Sequence, residues 1–414
     1  MLRVTHIKEL ATCSASGKTE VNKLGIIRDA TILIDGKHIV AVGKTRDILA
    51  RYPKKKNDRE IDATEKIVIP GFVDCHTHLV FAGSRAEEYE SKLLGVSYSA
   101  LHKRGGGIHS TVRATRNATE EELFLSAQKT LREMLRRGTT TVEIKSGYGL
   151  TLRDELKILR VIKRLQKTEQ QDIIPTFLGA HTIPSEYKKK RGEYVSLITN
   201  TMLPKVAEER LVEYVDVFCD PLGFTAKETE RIFIKATTLG LSVRIHGEQT
   251  AHEGGAEIGA RFHAASIDHC DHLSTRDIAL MKKANTTAVL LPGVLFHTME
   301  WTKSRLPGIA KKLQNAGVPI ALATDYNPGS SPLLSMKLTV DLAMRFLKLS
   351  GDECLLGATQ IPSVALGKDK LVGSIEAGKQ ADLLIIDAPS AKDYLHQIGD
   401  RTILHIIKNG VIVN

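Results

Sequence analysis

The 414-residue sequence predicts an α/β protein: a (β/α)8 TIM-like barrel over residues 66–368, with a small β-sandwich domain built from both chain ends, residues 1–65 and 369–414. Three observations lead there. Strand-like apolar runs recur through the middle of the chain, with amphipathic helical segments between most of them. Both ends carry short alternating runs separated by glycine instead. The Gly-rich βα turn that an open doubly wound sheet usually carries early in the chain is missing.

The N-terminal segment contains ATILIDG and HIVAVG, which pattern as hairpin strands. Eight strand candidates follow: Phe72–Leu79, Thr140–Lys145, Ile173–Ala180, Val215–Cys219, Ser242–His246, Ala265–Cys270, Thr287–Pro292 and Pro319–Thr324. Glu120–Arg137 is the clearest helix: Leu123, Leu131, Met134 and Leu135 share a face, acidic residues open it, and Gly138 follows it. Asp154–Lys167 has a similar pattern. The C-terminal segment holds LVGSIEAGKQADLLIID and TILHIIKNGVIV, the latter with a tight-turn signal at Asn409–Gly410.

Composition narrows the class. The hydrophobic fraction is 42%, ordinary for a chain with a substantial core. No apolar run approaches the ~20 residues of a membrane-spanning helix, and MLRVTHIKEL lacks the apolar stretch of a secretory signal. No membrane partner and a cytoplasmic location are expected. The five cysteines (Cys13, Cys75, Cys219, Cys270, Cys354) are odd in number and widely spaced, which argues against a disulfide framework or a zinc ribbon. Part of the +10 formal charge sits in Lys54–Lys56 and Lys188–Arg191. These runs have no interleaved aromatics and read as solvated loops, so no nucleic-acid partner is expected. A positive field would favour a small anionic substrate.

The chemistry starts at His76-Thr77-His78, at the end of a strand-like run. Residues i and i+2 of a strand point to one side, so two imidazoles there can share an ion. His246 ends the fifth strand candidate and Asp325 the eighth. The C-terminal ends of barrel strands converge on one mouth. Three nitrogens and a carboxylate make a plausible site for one zinc or iron ion. An aspartate at the position of Asp325 can equally cap a following helix. His181 ends the third strand and His269 the sixth, facing the same mouth in substrate or supporting roles. The fourth strand, VDVFCD, has no lysine to bridge a second metal, so a single ion is expected.

PGFVDCHTHLVF, IHGE and the TD ending the eighth strand resemble the amidohydrolase superfamily of metal-dependent hydrolases. FAGSRAEEY, GGGIHSTV, TTTVEIKSGYGL, FLGAHTIP and ATDYNPGSSP narrow the likeness to a branch that opens the ring amide of an imidazolone carrying a propanoate arm. The likeness spans about residues 60–380. It implies that His76, His78, His246 and Asp325 are the metal ligands and that Arg85 binds the substrate carboxylate. It also implies that Tyr98, Tyr148 and His181 line the ring, and that Asn327, Gly329 and Ser330 hold a carboxylate, with backbone N–H groups of the loop as donors. An ion pair of Arg85 with Glu87 or Glu88 is the plainer alternative. A homodimer is compatible with the likeness.

The implied mechanism uses a metal-activated water, with Asp325 moving its proton and His269 beside the nucleophile. Some members carry an acid three positions after the strand-five histidine, where this chain has Gln249. An amide cannot act as a base, so Gln249 is assigned to orienting the substrate. Glu248 could act as a base if its side chain turns inward with His246. Two rivals stand beside this reading: an amidohydrolase for cyclic ureides or aromatic amines, and a barrel that has lost catalysis.

Overall fold

A computed structural model of the chain describes residues 1–14, 22–94, 106–399 and 403–414. Eight parallel strands form the barrel in sequence order: β6 (Phe72–Asp74), β7 (Thr139–Lys145), β8 (Asp172–Ala180), β9 (Tyr214–Cys219), β10 (Ser242–Gly247), β11 (Ser266–His269), β12 (Thr287–Leu290) and β13 (Ile320–Leu322). Helices cover the outside. The Glu120–Arg136 helix begins with a reciprocal capping box between Thr119 and Glu122, and buries Leu123, Leu131, Met134 and Leu135. Each buried leucine stabilises the packing by roughly 2 kcal/mol.

The first and last barrel strands are shorter than the sequence pattern suggests. His76, Thr77 and His78 lie beyond the end of β6, and Asp325 lies beyond the end of β13. Their backbones close the barrel there: Thr77 and Tyr326 form a parallel bridge. Asp74 staples the same seam, its carboxylate accepting from the Thr324 hydroxyl at 2.6 Å and the Thr324 N–H at 3.2 Å.

Both chain ends join a separate eight-stranded sheet. Its order is β16 (Val411–Ile412), β15 (Ile403–Lys408), β14 (Leu383–Ile386), β5 (Ile67–Pro70), β1 (Leu2–Ala11), β2 (Ile26–Asp35) and β3 (His38–Lys44), with β4 (Arg59–Asp62) pairing with β1. The two expected hairpins are present. Asn409 (φ 51°) and Gly410 (φ 75°) supply the left-handed pair of the last turn. Period-two alternation sorts the sheet's side chains. Val68, Leu383, Ile385 and Ile407 join Val4, Leu10, Ile32 and Ile34 in a core of their own. Ile67, Ile69, Leu384 and Ile386 join the barrel's core.

One boundary moves. β5 hydrogen-bonds with β1 and β14, so the end sheet extends to Pro70 rather than stopping at residue 65. Gly71 alone then connects the sheet to β6. A Cβ at Gly71 would lie 2.2 Å from the Thr140 hydroxyl, so no larger residue fits this crossing. All five cysteines are buried, and no disulfide joins any two of them. No described helix is long and apolar enough to cross a membrane.

Candidate metal centre and active site

The structure brings the widely separated ligand candidates together. Nε2 of His78 lies 3.3 Å from Nε2 of His246 and 3.3 Å from Oδ1 of Asp325. Nε2 of His76 lies 3.4 Å from the same oxygen. All four residues are almost wholly buried. No helix follows Asp325 directly, so it is not a helix cap. It sits instead at φ +51°, a left-handed conformation held by the closing seam.

These residues fit a metal ion. Ligand atoms around a tetrahedral zinc with bonds of about 2.0–2.1 Å are about 3.3 Å apart, close to the spacing of the three pairs measured here. Nε2 of His76 and Oδ1 of Asp325 are buried without a hydrogen-bond partner, an arrangement that is costly unless something else satisfies them. Burial and the Lys145 charge lower the His76 pKa, but Asp268 and Asp325 outweigh them and raise it to about 9. Burial pushes His78 down to about 4, leaving it a neutral donor. Among the described residues, His76, His78 and His246 are the one group of three or more such side chains gathered closely enough for an ion, with ligand atoms within 4.8 Å of one another.

The sequence reading missed the layer beneath. Nδ1 of His76 is 2.6 Å from Oδ2 of Asp268, and Nδ1 of His246 is 3.0 Å from Oδ2 of Asp216. The His76–Asp268 contact is a hydrogen bond, and a carboxylate so placed fixes the tautomer and aims the other nitrogen outward; the His246–Asp216 pair is close in distance but not aligned as a hydrogen bond. The signal was the aspartates in VDVFC and SIDHC, each inside a strand that otherwise reads as buried.

A cavity of about 720 Å³ opens at the candidate ligands, lined by Arg85, Tyr148, His181, Gln249, His269, Asn327 and Ser330 among others. His181 stacks on His78 with ring centres 4.9 Å apart. Tyr148 is 5.4 Å from His181, ring to ring. His269 is 5.2 Å from His246. The SGYGL loop that presents Tyr148 is tied down by Glu155, whose buried carboxylate accepts from the N–H groups of Gly147, Gly149 and Leu150 at 2.7–3.0 Å. Tyr98 lies outside the described residues.

The Arg85 guanidinium rests over Gly329: a Cβ at Gly329 would fall 1.9 Å from Nη1 of Arg85. The arginine also pairs with Glu88, through Nε at 3.1 Å and through Nη2. The plainer ion-pair reading of Arg85 thus holds alongside its place in the cavity wall.

Three expectations are corrected. The N–H groups of Gly329 and Ser330 both donate to Oδ1 of Asn327 at 2.8 Å, so they already have an acceptor and are not open donors for a ligand. Glu248 does not turn toward the centre. Its carboxylate accepts from the N–H groups of Glu253 and Ala256 at 2.7 and 2.9 Å and anchors the following loop and helix. Lys188 and Arg191 are not simply solvated: both line the cavity, and Arg191 pairs with Glu228 at 2.7 Å.

The Amidohydrolase family model matches residues 67–413, and the chain belongs to that family. Within that class of hydrolases, the chain belongs to the imidazolonepropionase family. It is 40% identical to the imidazolonepropionase of Clostridium tetani, with 99% of this chain and 97% of that protein aligned. Identity to the imidazolonepropionase of Pseudomonas syringae pv. tomato is 42% over 94% of this chain and 95% of that protein. Among solved structures, an adenosine deaminase from Xanthomonas campestris with bound zinc superposes with a TM-score of 0.72. It covers 99% of this chain and 92% of its own at 18% identity, a likeness of fold alone.

Proposed function

We propose that this chain hydrolyses 4-imidazolone-5-propanoate to N-formimino-L-glutamate, a step of histidine degradation, using one zinc or iron ion held by His76, His78, His246 and Asp325. The observation that carries this reading is the convergence of those four side chains under a cavity that also contains Arg85. The likeness to named imidazolonepropionases supplies the substrate. A cytoplasmic setting suits five buried cysteines with no disulfide among them.

The charge of the interior favours a divalent ion. With His76 neutral, as a metal ligand must be, Asp325, Asp216, Asp268 and Glu143 face Lys145 and Arg244, which leaves two negative charges uncompensated. Asp74 is held nearer neutrality, its pKa raised to about 7 by burial. Uncompensated buried charge is costly, and an ion of charge two removes it.

When bound, the ion supplies Lewis acidity and a water of lowered pKa. The chain does the rest. Asp325 accepts a proton from the attacking water and later returns it to the leaving ring nitrogen. Burial pushes its carboxyl up, but His76 and His78 pull it well below the usual carboxylate range, so it begins ionised. His269 lies beside the path of attack and stabilises charge on the carbonyl oxygen. Burial holds His181 well below the ordinary histidine range, so it meets the ring as a neutral group. Arg85 takes the propanoate, while Tyr148 and Gln249 orient the ring.

The test is a spectrophotometric assay of the purified, metal-loaded protein with 4-imidazolone-5-propanoate, run beside hydantoins and guanine. Turnover of the imidazolone with formation of N-formimino-L-glutamate is expected. Preference for a hydantoin or guanine would move the chain to another amidohydrolase chemistry.

A further inference from the structure

Below the ligands lies a buried ionic layer that the proposed reaction does not use directly. Lys145, at the end of β7, is fully buried. Its Nζ is 2.9 Å from Oε1 of Glu143, 2.8 Å from Oδ2 of Asp216 and 3.8 Å from Oδ2 of Asp268. Nη2 of Arg244 is 3.4 Å from Oδ2 of Asp268 and donates to the Cys75 carbonyl at 2.7 Å. A lysine has no reason to be so deep unless its charge is matched, and here one ammonium is shared among three carboxylates.

We propose that Lys145 is a positioning residue of the metal centre: with Arg244, it clamps the carboxylates of Asp216 and Asp268 against Nδ1 of His246 and His76, so that both Nε2 atoms face the ion. The proposal rests on the metal reading above.

Three connections carry it. Asp216 receives the His246 N–H on Oδ1 at 3.1 Å, while Oδ2 faces both Lys145 and the His246 ring. Asp268 places Oδ2 against His76, with Arg244 and Lys145 behind it. Lys145 also reaches the His76–His78 segment itself. Its backbone N–H donates to the Thr77 carbonyl at 2.9 Å. Its partner Glu143 accepts the Thr77 N–H at 3.2 Å. One side chain and its own backbone thus touch the carboxylates beside His76 and His246 and the main chain between His76 and His78. Removing the ammonium leaves three carboxylates facing one guanidinium, and their repulsion swings Asp216 away from the His246 ring.

The test uses full-length Lys145→Met and the double variant Lys145→Met/Glu143→Gln. The double variant removes one charge of each sign, so it retains a balanced interior if the single variant fails to fold. Zinc affinity is read by competition with a chromogenic chelator, the ligand field by the visible spectrum of the cobalt(II) form, and folding by the melting temperature of the metal-free protein. The expected result is a folded variant whose zinc dissociation constant rises by about 10-fold or more, with a changed cobalt spectrum. A folded variant with wild-type zinc affinity and an unchanged cobalt spectrum overturns the proposal, whatever its melting temperature, because a purely structural lysine would move only the latter. Failure of the wild-type protein itself to bind zinc or cobalt would overturn the metal reading, and this proposal with it.

Discussion

The backbone N–H of Asp325 donates to the carbonyl of His76 at 3.0 Å. The N–H of His78 returns the connection to the Tyr326 carbonyl at 2.9 Å. Ligand candidates from opposite ends of the barrel sequence are therefore neighbours along the main chain as well as through their side chains. The seam that closes the barrel and the site that would hold the ion are the same few residues.

His78→Ala removes the nitrogen that lies 3.3 Å from both His246 and Asp325. The purified variant is expected to hold well under one equivalent of metal by elemental analysis. Retention of a full equivalent would remove His78 from the ligand set.

Asp325→Asn keeps an oxygen at the centre but loses the proton acceptor. Much of the metal is expected to stay, while kcat falls by about 100-fold or more. Activity near the wild-type level in a metal-loaded variant would end the proton-transfer role.

Gly329→Ala places a methyl group where Nη1 of Arg85 now lies. The guanidinium must move, so KM is expected to rise about tenfold, with a smaller effect on kcat. Steady-state kinetics read the split. An unchanged KM would separate Arg85 from carboxylate binding.

Glu155→Ala strips the acceptor from three N–H groups of the loop that carries Tyr148. A loss of about 3 kcal/mol of stability is expected from such unsatisfied buried donors. Urea denaturation measures it, and a loss below about 1 kcal/mol would show that the loop is held by other contacts.

Asp58 gives a pH-dependent prediction. The Lys55 N–H and then the Arg3 side chain lower its pKa from 3.8 to about 2. A pKa depressed by folding adds stability above the unfolded value and loses it as pH falls through the folded one. The melting-temperature gap between wild type and Asp58→Asn is therefore expected at neutral pH, and should shrink between about pH 4 and pH 2. A gap that stays constant over that range would contradict the assignment.

The parts of this site legible in the sequence were those with a local signature. His76 and His78 announce themselves by spacing, His246 and Asp325 by closing strand-like runs, and Asn409–Gly410 by turn chemistry. Lys145, Glu143, Asp216, Asp268 and Arg244 do not. Apart from the Glu143–Lys145 pair, they sit as isolated charges inside apolar strand runs, with no partner near in sequence, and only barrel closure brings those charges together. Glu248 and the Gly329–Ser330 N–H groups were misplaced for a related reason. Side-chain direction follows regular alternation only while the strand lasts, and Glu248 has already left it, at φ +58°. The strand-end segments at residues 75–79 and 323–324 were absorbed into longer runs because apolar pattern alone does not mark where pairing stops.

The shared sheet at the chain ends also bears on how the protein is made. During synthesis, β5 leaves the ribosome long before its neighbour β14, and until Leu383 and the residues after it follow, Val68 and Ile69 have an unpaired edge beside them. Such edges recruit other chains. A ribosome that stalls before that point would release a protein with its ligand-bearing segments complete and its aggregation hazard exposed.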